Sequence, residues 1–217
     1  MDFFKSIKLY EFLRSQPKMK IQTAISDALI IKGDYSFKAR RDREGIAIED
    51  SYKLVIILNK QFPRELPIVK ELGEKIPRNN DFHISSDGSL CLTSPLRILL
   101  SLNENPNLIH FSNVFIRPFL FSISCKLRYG ADFMFGELDH GSEGLIEDYS
   151  DILGLSTKDQ VIKAFELLGM KKRAANKRNC PCGCGKRLGK CSFRKKINNL
   201  RKKASNSWFR NHLNKLN

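Results

Sequence analysis

Two groups of residues in this sequence have types and spacings that suit chemistry. The first is the stretch 81–95, DFHISSDGSLCLTSP, which sets one cysteine, Cys91, behind a turn signal at Asp87-Gly88. Glycine tolerates the backbone angles of a tight turn, and aspartate caps such turns through its side chain. Leu90 and Leu92 flank the cysteine with a short apolar clip. This setting presents a thiol at the lip of a pocket rather than deep in a core, and makes Cys91 the leading candidate nucleophile. The second group is 179–192, NCPCGCGKRLGKCS, in which Cys180, Cys182, Cys184 and Cys191 fall within twelve residues. Thiolates held this close repel unless a cation joins them, and zinc prefers four such soft ligands in a tetrahedron. A short polar segment with no core of its own also gains most from a metal. The expectation is structural Zn2+; the plainer alternative is a redox-active or idle thiol cluster.

The elements that position these groups follow from pattern. Residues 3–15 are predicted to form an amphipathic helix, with Phe3, Ile7, Tyr10 and Leu13 or Arg14 at helical spacing and Pro17 ending it. From Met19 the character changes. Residues 28–41 and 51–60 are rich in β-branched and aromatic residues, with a bend or bulge expected at Gly33-Asp34 and a polar loop over 42–50. Pro63 and Pro67 force extended backbone, and Pro67 opens a further strand. The reading is one helix, then an antiparallel meander of three or four strands.

Beyond Cys91 the pattern is helical. A short helix is predicted over 95–102. Residues 113–129 are apolar nearly all round, which suits a helix buried against the sheet with Pro118 in its first turns or at a kink. Cys125 in that run reads as a buried small hydrophobe, and His110 before it as structural. Residues 130–144 form a glycine-punctuated loop carrying His140. Helices follow over 145–153 and from Ser156, whose apolar stripe is Val161, Phe165 and Leu168, closed by Gly169. A last basic helix is expected over 193–216, with Ile197, Leu200, Trp208, Phe209 and Leu213 on it and His212 on its surface.

Of the 217 residues, 38 are Lys or Arg and 23 Asp or Glu, a formal charge of +15. The excess is local: residues 171–217 carry sixteen basic residues and no acidic one, so residues 1–170 are close to neutral. The expected division is therefore a body, 1–170, and a cationic tail, 171–217, containing the cysteine knuckle and the last helix. Such asymmetry directs the tail at nucleic acid, an acidic protein face or an anionic membrane, and basic residues interleaved with aromatics could track a phosphate backbone. No apolar run approaches membrane-spanning length, and MDFFKSIKLYEF lacks the layout of a signal peptide. The expectation is a cytoplasmic, reducing location without membrane attachment, where cysteines are thiols or metal ligands.

Three of these features together resemble a known family. The FPRELP segment is similar to the Y-P-x-x-P-P of ubiquitin-conjugating enzymes, and DFHISSDGSLCL to their H-P-N-x-x-x-x-G-x-[IV]-C-L, where the cysteine is catalytic. LDHGSEGLIEDY looks like a segment of the divergent bacterial members. The resemblance spans most of residues 1–155. It implies an α+β fold of the ubiquitin-conjugating-enzyme type, a four-stranded antiparallel meander with flanking helices. It also implies an activity: a ubiquitin-like carboxyl terminus held as a thioester on Cys91, then passed to a target lysine. His83 stands at the family's Asn position, while Asp81 and Phe82 replace its His and Pro. An imidazole there could donate a hydrogen bond to the oxyanion or take a proton from the incoming amine. His140 is the second candidate, as a base reaching over the site or as a residue that orders its loop.

The knuckle resembles the SEC-C motif, C-P-C-G-S-G-K-x-x-x-x-C followed by Cys or His. Cys180, Cys182 and Cys191 match its first three ligands. Ser192 stands at the fourth position and Cys184 replaces the usual Ser, so the resemblance leaves Cys184, or less favourably His212, to complete the site. Standalone bacterial enzymes of this type occur in CBASS antiphage operons, where the partner is a cGAS-like nucleotidyltransferase whose carboxyl terminus is the conjugated end. The sequence has no glycine-rich ATP-binding loop, so acyl activation must come from elsewhere. Two other readings compete. One is a non-catalytic module of the same fold whose zinc-bearing basic tail binds nucleic acid. The other is a thiol hydrolase using Cys91 and His140.

Overall fold

A computed structural model describes residues 3–22, 28–40, 45, 47–131 and 142–216. The chain forms two compact units, Met1–Glu137 and Leu138–Asn217. The expected division at about residue 170 therefore falls inside the second unit. The acidic residues stop there, but the packing does not.

The first unit opens with two short helices, α1 (Phe3–Ser6) and α2 (Leu9–Ser15), where the sequence predicts one. The break is Lys8, whose left-handed backbone (φ 53°, ψ 42°) no continuous helix accommodates. It turns Ile7, Leu9 and Phe12 inward and leaves Tyr10, expected on the apolar stripe, largely exposed. Four strands follow, β1 (Met19–Gln22), β2 (Ala28–Arg40), β3 (Ala47–Asn59) and β4 (Ile68–Glu71), in an antiparallel meander of order β1-β2-β3-β4. β3 begins inside the stretch expected as loop.

Register explains the core. Leu29, Ile31, Tyr35 and Phe37 lie opposite Leu58, Ile56, Tyr52 and Asp50. Because side chains alternate along a strand, this one register sends all the partners to one face. The register also runs through Gly33 opposite Leu54 with no extra residue, so the expected bulge is not there. The glycine answers a different need: a Cβ on Gly33 would meet the carbonyl oxygen of Lys18 at 2.1 Å, where β1 begins.

The covering layer is α3 (Pro95–Glu104) and a helical run of 22 residues, Leu108–Tyr129. The run comprises α4 (Leu108–Phe111), a π turn (Ser112–Ile116) and α5 (Arg117–Tyr129). Pro118 has no N–H to donate and crowds the preceding turn; the wider π turn just before it, closed by Arg117 N–H to Ser112 O, loosens the backbone there. By length and composition this run could cross a membrane, contrary to the sequence reading, but 67% of its most apolar window is buried in the protein. Its hydroxyls bond to the sheet: Ser112 Oγ lies 2.6 Å from Tyr35 Oη, and Ser124 Oγ lies 2.8 Å from Tyr52 Oη and donates to Asp50 at 2.9 Å. Asp50, its side chain largely covered, also pairs with Lys75 and with Arg128 at 2.9 Å. Cys125 is buried as expected, and His110 is held by Ser101 Oγ at 2.7 Å.

The second unit is helical: α6 (Ser142–Leu153), α7 (Lys158–Gly169), α8 (Lys172–Ala175), α9 (Arg194–Lys203) and α10 (Asn206–Leu213). Thr157, not Ser156, caps α7, accepting from Gln160 N–H at 3.3 Å. The single terminal helix of the sequence reading is two. Ala204 is extended, and Ser205 caps α10 by accepting from Trp208 N–H at 3.1 Å. The break folds α10 back onto α7, so Phe209 packs edge-on against Phe165 (5.9 Å) and Phe165 stacks on Tyr149 (4.9 Å). The tail is thus half of a folded unit.

Candidate functional sites

The Cys91 stretch is a hairpin. Residues Asn80–Phe82 form a 3-10 turn capped by the Asn79 side chain, and His83 ends it in a left-handed conformation (φ 50°, ψ 42°). The arms are joined by an Ile84–Leu90 bridge, by Ser85 N–H to Ser89 O at 2.9 Å, and by Cys91 N–H to His83 O at 2.8 Å. That last bond sets Cys91 and His83 directly across from one another at the open end. Positive φ is uncommon for a residue with a Cβ, and such conformations gather at functional sites because the surroundings must hold them. His83 is half-buried, and its Nε2 is shielded from solvent. Cys91 is exposed.

The hairpin is anchored on three sides. Its returning arm extends the sheet: Leu90 N–H bonds to Val69 O at 2.9 Å, and Glu71 N–H to Gly88 O at 2.9 Å. Its outgoing arm is tied to α5 by Lys126, whose ammonium donates to Asp81 O at 2.9 Å and lies 5.4 Å from the Phe82 ring centre. The third anchor is an ion pair under the turn. Glu71, with its side chain fully buried, lies 3.0 Å from Arg78 Nη2, which also donates to Glu71 O at 2.8 Å. Glu71 accepts in addition from Gly73 N–H at 2.7 Å. A Cβ on Gly88 (φ 82°) would meet Glu71 O at 2.6 Å, so only glycine lets the turn sit this close.

The turn has its own electrostatics. Asp87 accepts from Lys70 Nζ at 2.5 Å and from the Ser89 N–H and hydroxyl, each at 3.0 Å. The Lys70 bond foremost, then those from Ser89, push the Asp87 carboxyl down to about 2. Beyond Cys91, Ser94 caps α3 by accepting from Arg97 N–H at 3.3 Å. The hairpin therefore offers an exposed thiol on a braced scaffold with an imidazole-bearing residue opposite. Sequence reasoning missed the bracing by Glu71 and Arg78. Nothing local marks Glu71, which occupies an ordinary strand position. His140 lies outside the described residues.

The four cysteines of the knuckle converge, their sulfurs all within 4.8 Å of one another. Cys180 and Cys182 are 3.2 Å apart, Cys182 and Cys191 3.7 Å, and Cys184 and Cys191 3.6 Å. A disulfide needs about 2.0 Å, and all four thiols are free. A tetrahedral ion with metal–sulfur bonds of about 2.3 Å would hold its ligands about 3.8 Å apart, close to these separations. The four cysteines can therefore hold a metal ion. A small hairpin sets them in place: Asn179 bridges Arg187, Cys180 N–H bonds to Lys186 O at 2.8 Å, and Leu188 N–H to Arg178 O at 2.8 Å. Phe193 N–H donates to Cys191 Sγ at 3.4 Å, and this bond first, with its sulfur neighbours, holds the Cys191 thiol down to about 7. Burial pushes the Cys180 thiol up.

His212 does not join this cluster. Its ring stacks on Trp208 at 3.7 Å and its Nδ1 lies 2.9 Å from Trp208 O, with burial lowering its pKa. Cys184, the residue substituted into the motif, is the one beside the other three. No protein-family model, no curated protein and no solved structure matches this chain.

Proposed function

We propose that this protein is a cysteine-dependent conjugating enzyme of the ubiquitin type, with Cys91 as acyl carrier. The Cys91 thiolate attacks the carbonyl carbon of a carboxyl terminus already activated by a separate enzyme. The activating group departs and a thioester forms. A target lysine amine then attacks the same carbon; the C–N bond forms, the C–S bond breaks, and sulfur leaves as thiolate. The amine proton needs an acceptor, and His83 is assigned that role or donation to the oxyanion. In the antiphage setting of its bacterial look-alikes, the donor would be a cGAS-like nucleotidyltransferase, and otherwise another ubiquitin-like protein.

The observation that supports this reading is the exposed Cys91 thiol at the end of a braced hairpin, opposite His83. Such a sulfur can receive a bulky protein terminus without the fold opening. The test is to express Cys91→Lys in the native host and search for a stable amide between the new lysine and a protein carboxyl terminus. Its appearance supports the reading; its absence, with the variant folded and the donor present, counts against it.

For the second unit the reading is a structural zinc held by Cys180, Cys182, Cys184 and Cys191. Its part is to staple the knuckle between α8 and α9, which has too few apolar residues to hold itself.

A further inference from the structure

We infer that the second unit carries a sequence-independent binding surface for the phosphate backbone of duplex nucleic acid, formed by the knuckle arms and the outer side of α9. The packing decides which cations are available. Three are used inside the unit to close helix ends. Lys196 donates to Leu153 O at 2.6 Å at the end of α6, Arg201 to Leu167 O and, at 3.0 Å, Met170 O, and Arg210 to Gly169 O at 2.7 Å at the end of α7. Others stay exposed: Arg178, Arg187 and Lys190 on the knuckle and Lys195 and Lys202 on α9. Lys195 and Lys202 are seven residues apart, hence on one side of α9 and about 10 Å apart along it. Ile197 and Leu200 take the buried side. No acidic residue occurs anywhere in 171–217 to neutralise them.

What is missing from this surface narrows the partner. The large hydrophobics exposed among the described residues all lie between Phe4 and Tyr129, so none is in 142–216. A membrane-seeking helix needs an apolar side to insert, and a protein interface needs aromatic or aliphatic anchors at its centre. Of the aromatics that the sequence interleaves with the cations, Trp208 and Phe209 are buried and Phe193 is half-buried. That leaves no exposed ring as the stacking platform on which proteins bind single strands. Cations without exposed apolar or aromatic anchors match a regular array of phosphates.

The test uses the full-length, zinc-loaded protein and a labelled DNA duplex of about two helical turns, titrated across a salt series. With several phosphates neutralised, a fourfold rise in salt is expected to weaken binding about a hundredfold or more, at a log–log slope of about 0.9 per contact. The variant Arg178→Gln/Arg187→Gln/Lys190→Gln/Lys195→Gln/Lys202→Gln should flatten that slope by about four while keeping melting temperature and zinc. Should that variant not fold, Lys202→Gln alone should flatten it by about one. A single strand of equal length should bind no more tightly than the duplex. Absence of duplex binding at low salt overturns the inference. So does an unchanged slope in the folded variants, tighter single-strand binding, or equally strong capture of polyglutamate or anionic vesicles.

Discussion

Glu71 and Arg78 carry more of the Cys91 scaffold than any residue named by the motif. The carboxylate is fully buried, and its guanidinium partner also reaches the strand carbonyl that lies against Gly88. Removing one member of a buried pair leaves the other charge without compensation, so Arg78→Ala should destabilise the first unit by about 3 kcal/mol in urea unfolding. Alkylation of Cys91 should change rate in the same variant, because the turn behind it loosens. Asp87 makes the hairpin sensitive to acid. Its carboxyl is held well below an ordinary aspartate, so its bonds support the hairpin above the unfolded pKa of near 4 and are lost as pH falls through about 2. Protection of the Ser89 amide, taken relative to its intrinsic exchange rate at each pH, should fall down this range, and Asp87→Asn should remove most of the dependence. Neither Glu71 nor Arg78 could be singled out beforehand. The Asp87-Gly88 turn was legible because turn chemistry is local, whereas Glu71 gains its role only from a partner seven residues away that folds beneath it.

Among the elements, α10 shows how far pattern reading reaches. Its apolar residues were legible, but they were placed on one long basic helix. Ser205 and the extended Ala204 break that helix, and Phe209 then faces Phe165. Phe209→Ala should therefore cost about 3–5 kcal/mol in the second unit, the range for emptying an aromatic site in a core, where a solvated helix would lose almost nothing. Thermal melting followed by tryptophan fluorescence reads this directly through Trp208. The strands were easier. β2 and β3 alternate cleanly, and their register follows from burying one face. The break at Lys8 had no such signal, since a left-handed lysine is set by the packing of Ile7, Leu9 and Phe12 and not by local preference.

Across the whole molecule, charge and packing divide the chain at different places. The charge boundary near residue 170 is a property of composition. The packing boundary at Glu137 is set by α6 and α7, which share a core with the basic segment. A chelator should accordingly release the knuckle and lower the melting temperature of the second unit, while the circular-dichroism signal of the sheet in the first unit persists. A metal ion held there should also be lost more readily as pH falls, because protons compete for the thiolates. The cysteine cluster was legible from spacing, with Cys184 and His212 both left open for its fourth member, since a group able to hold a metal needs few residues close in sequence. The setting of Cys91 was legible only in outline, because its supports come from β4, α5 and the segment after β4. On the reading proposed here, Cys91 carries another protein's carboxyl terminus. Mass spectrometry of the native protein, isolated under acidic non-reducing conditions, tests it most directly. The Cys91 peptide should bear the terminal residues of a second protein, released by dithiothreitol; Cys91 found only as the free thiol, with the donor and its activating enzyme both present, would rule the carrier role out.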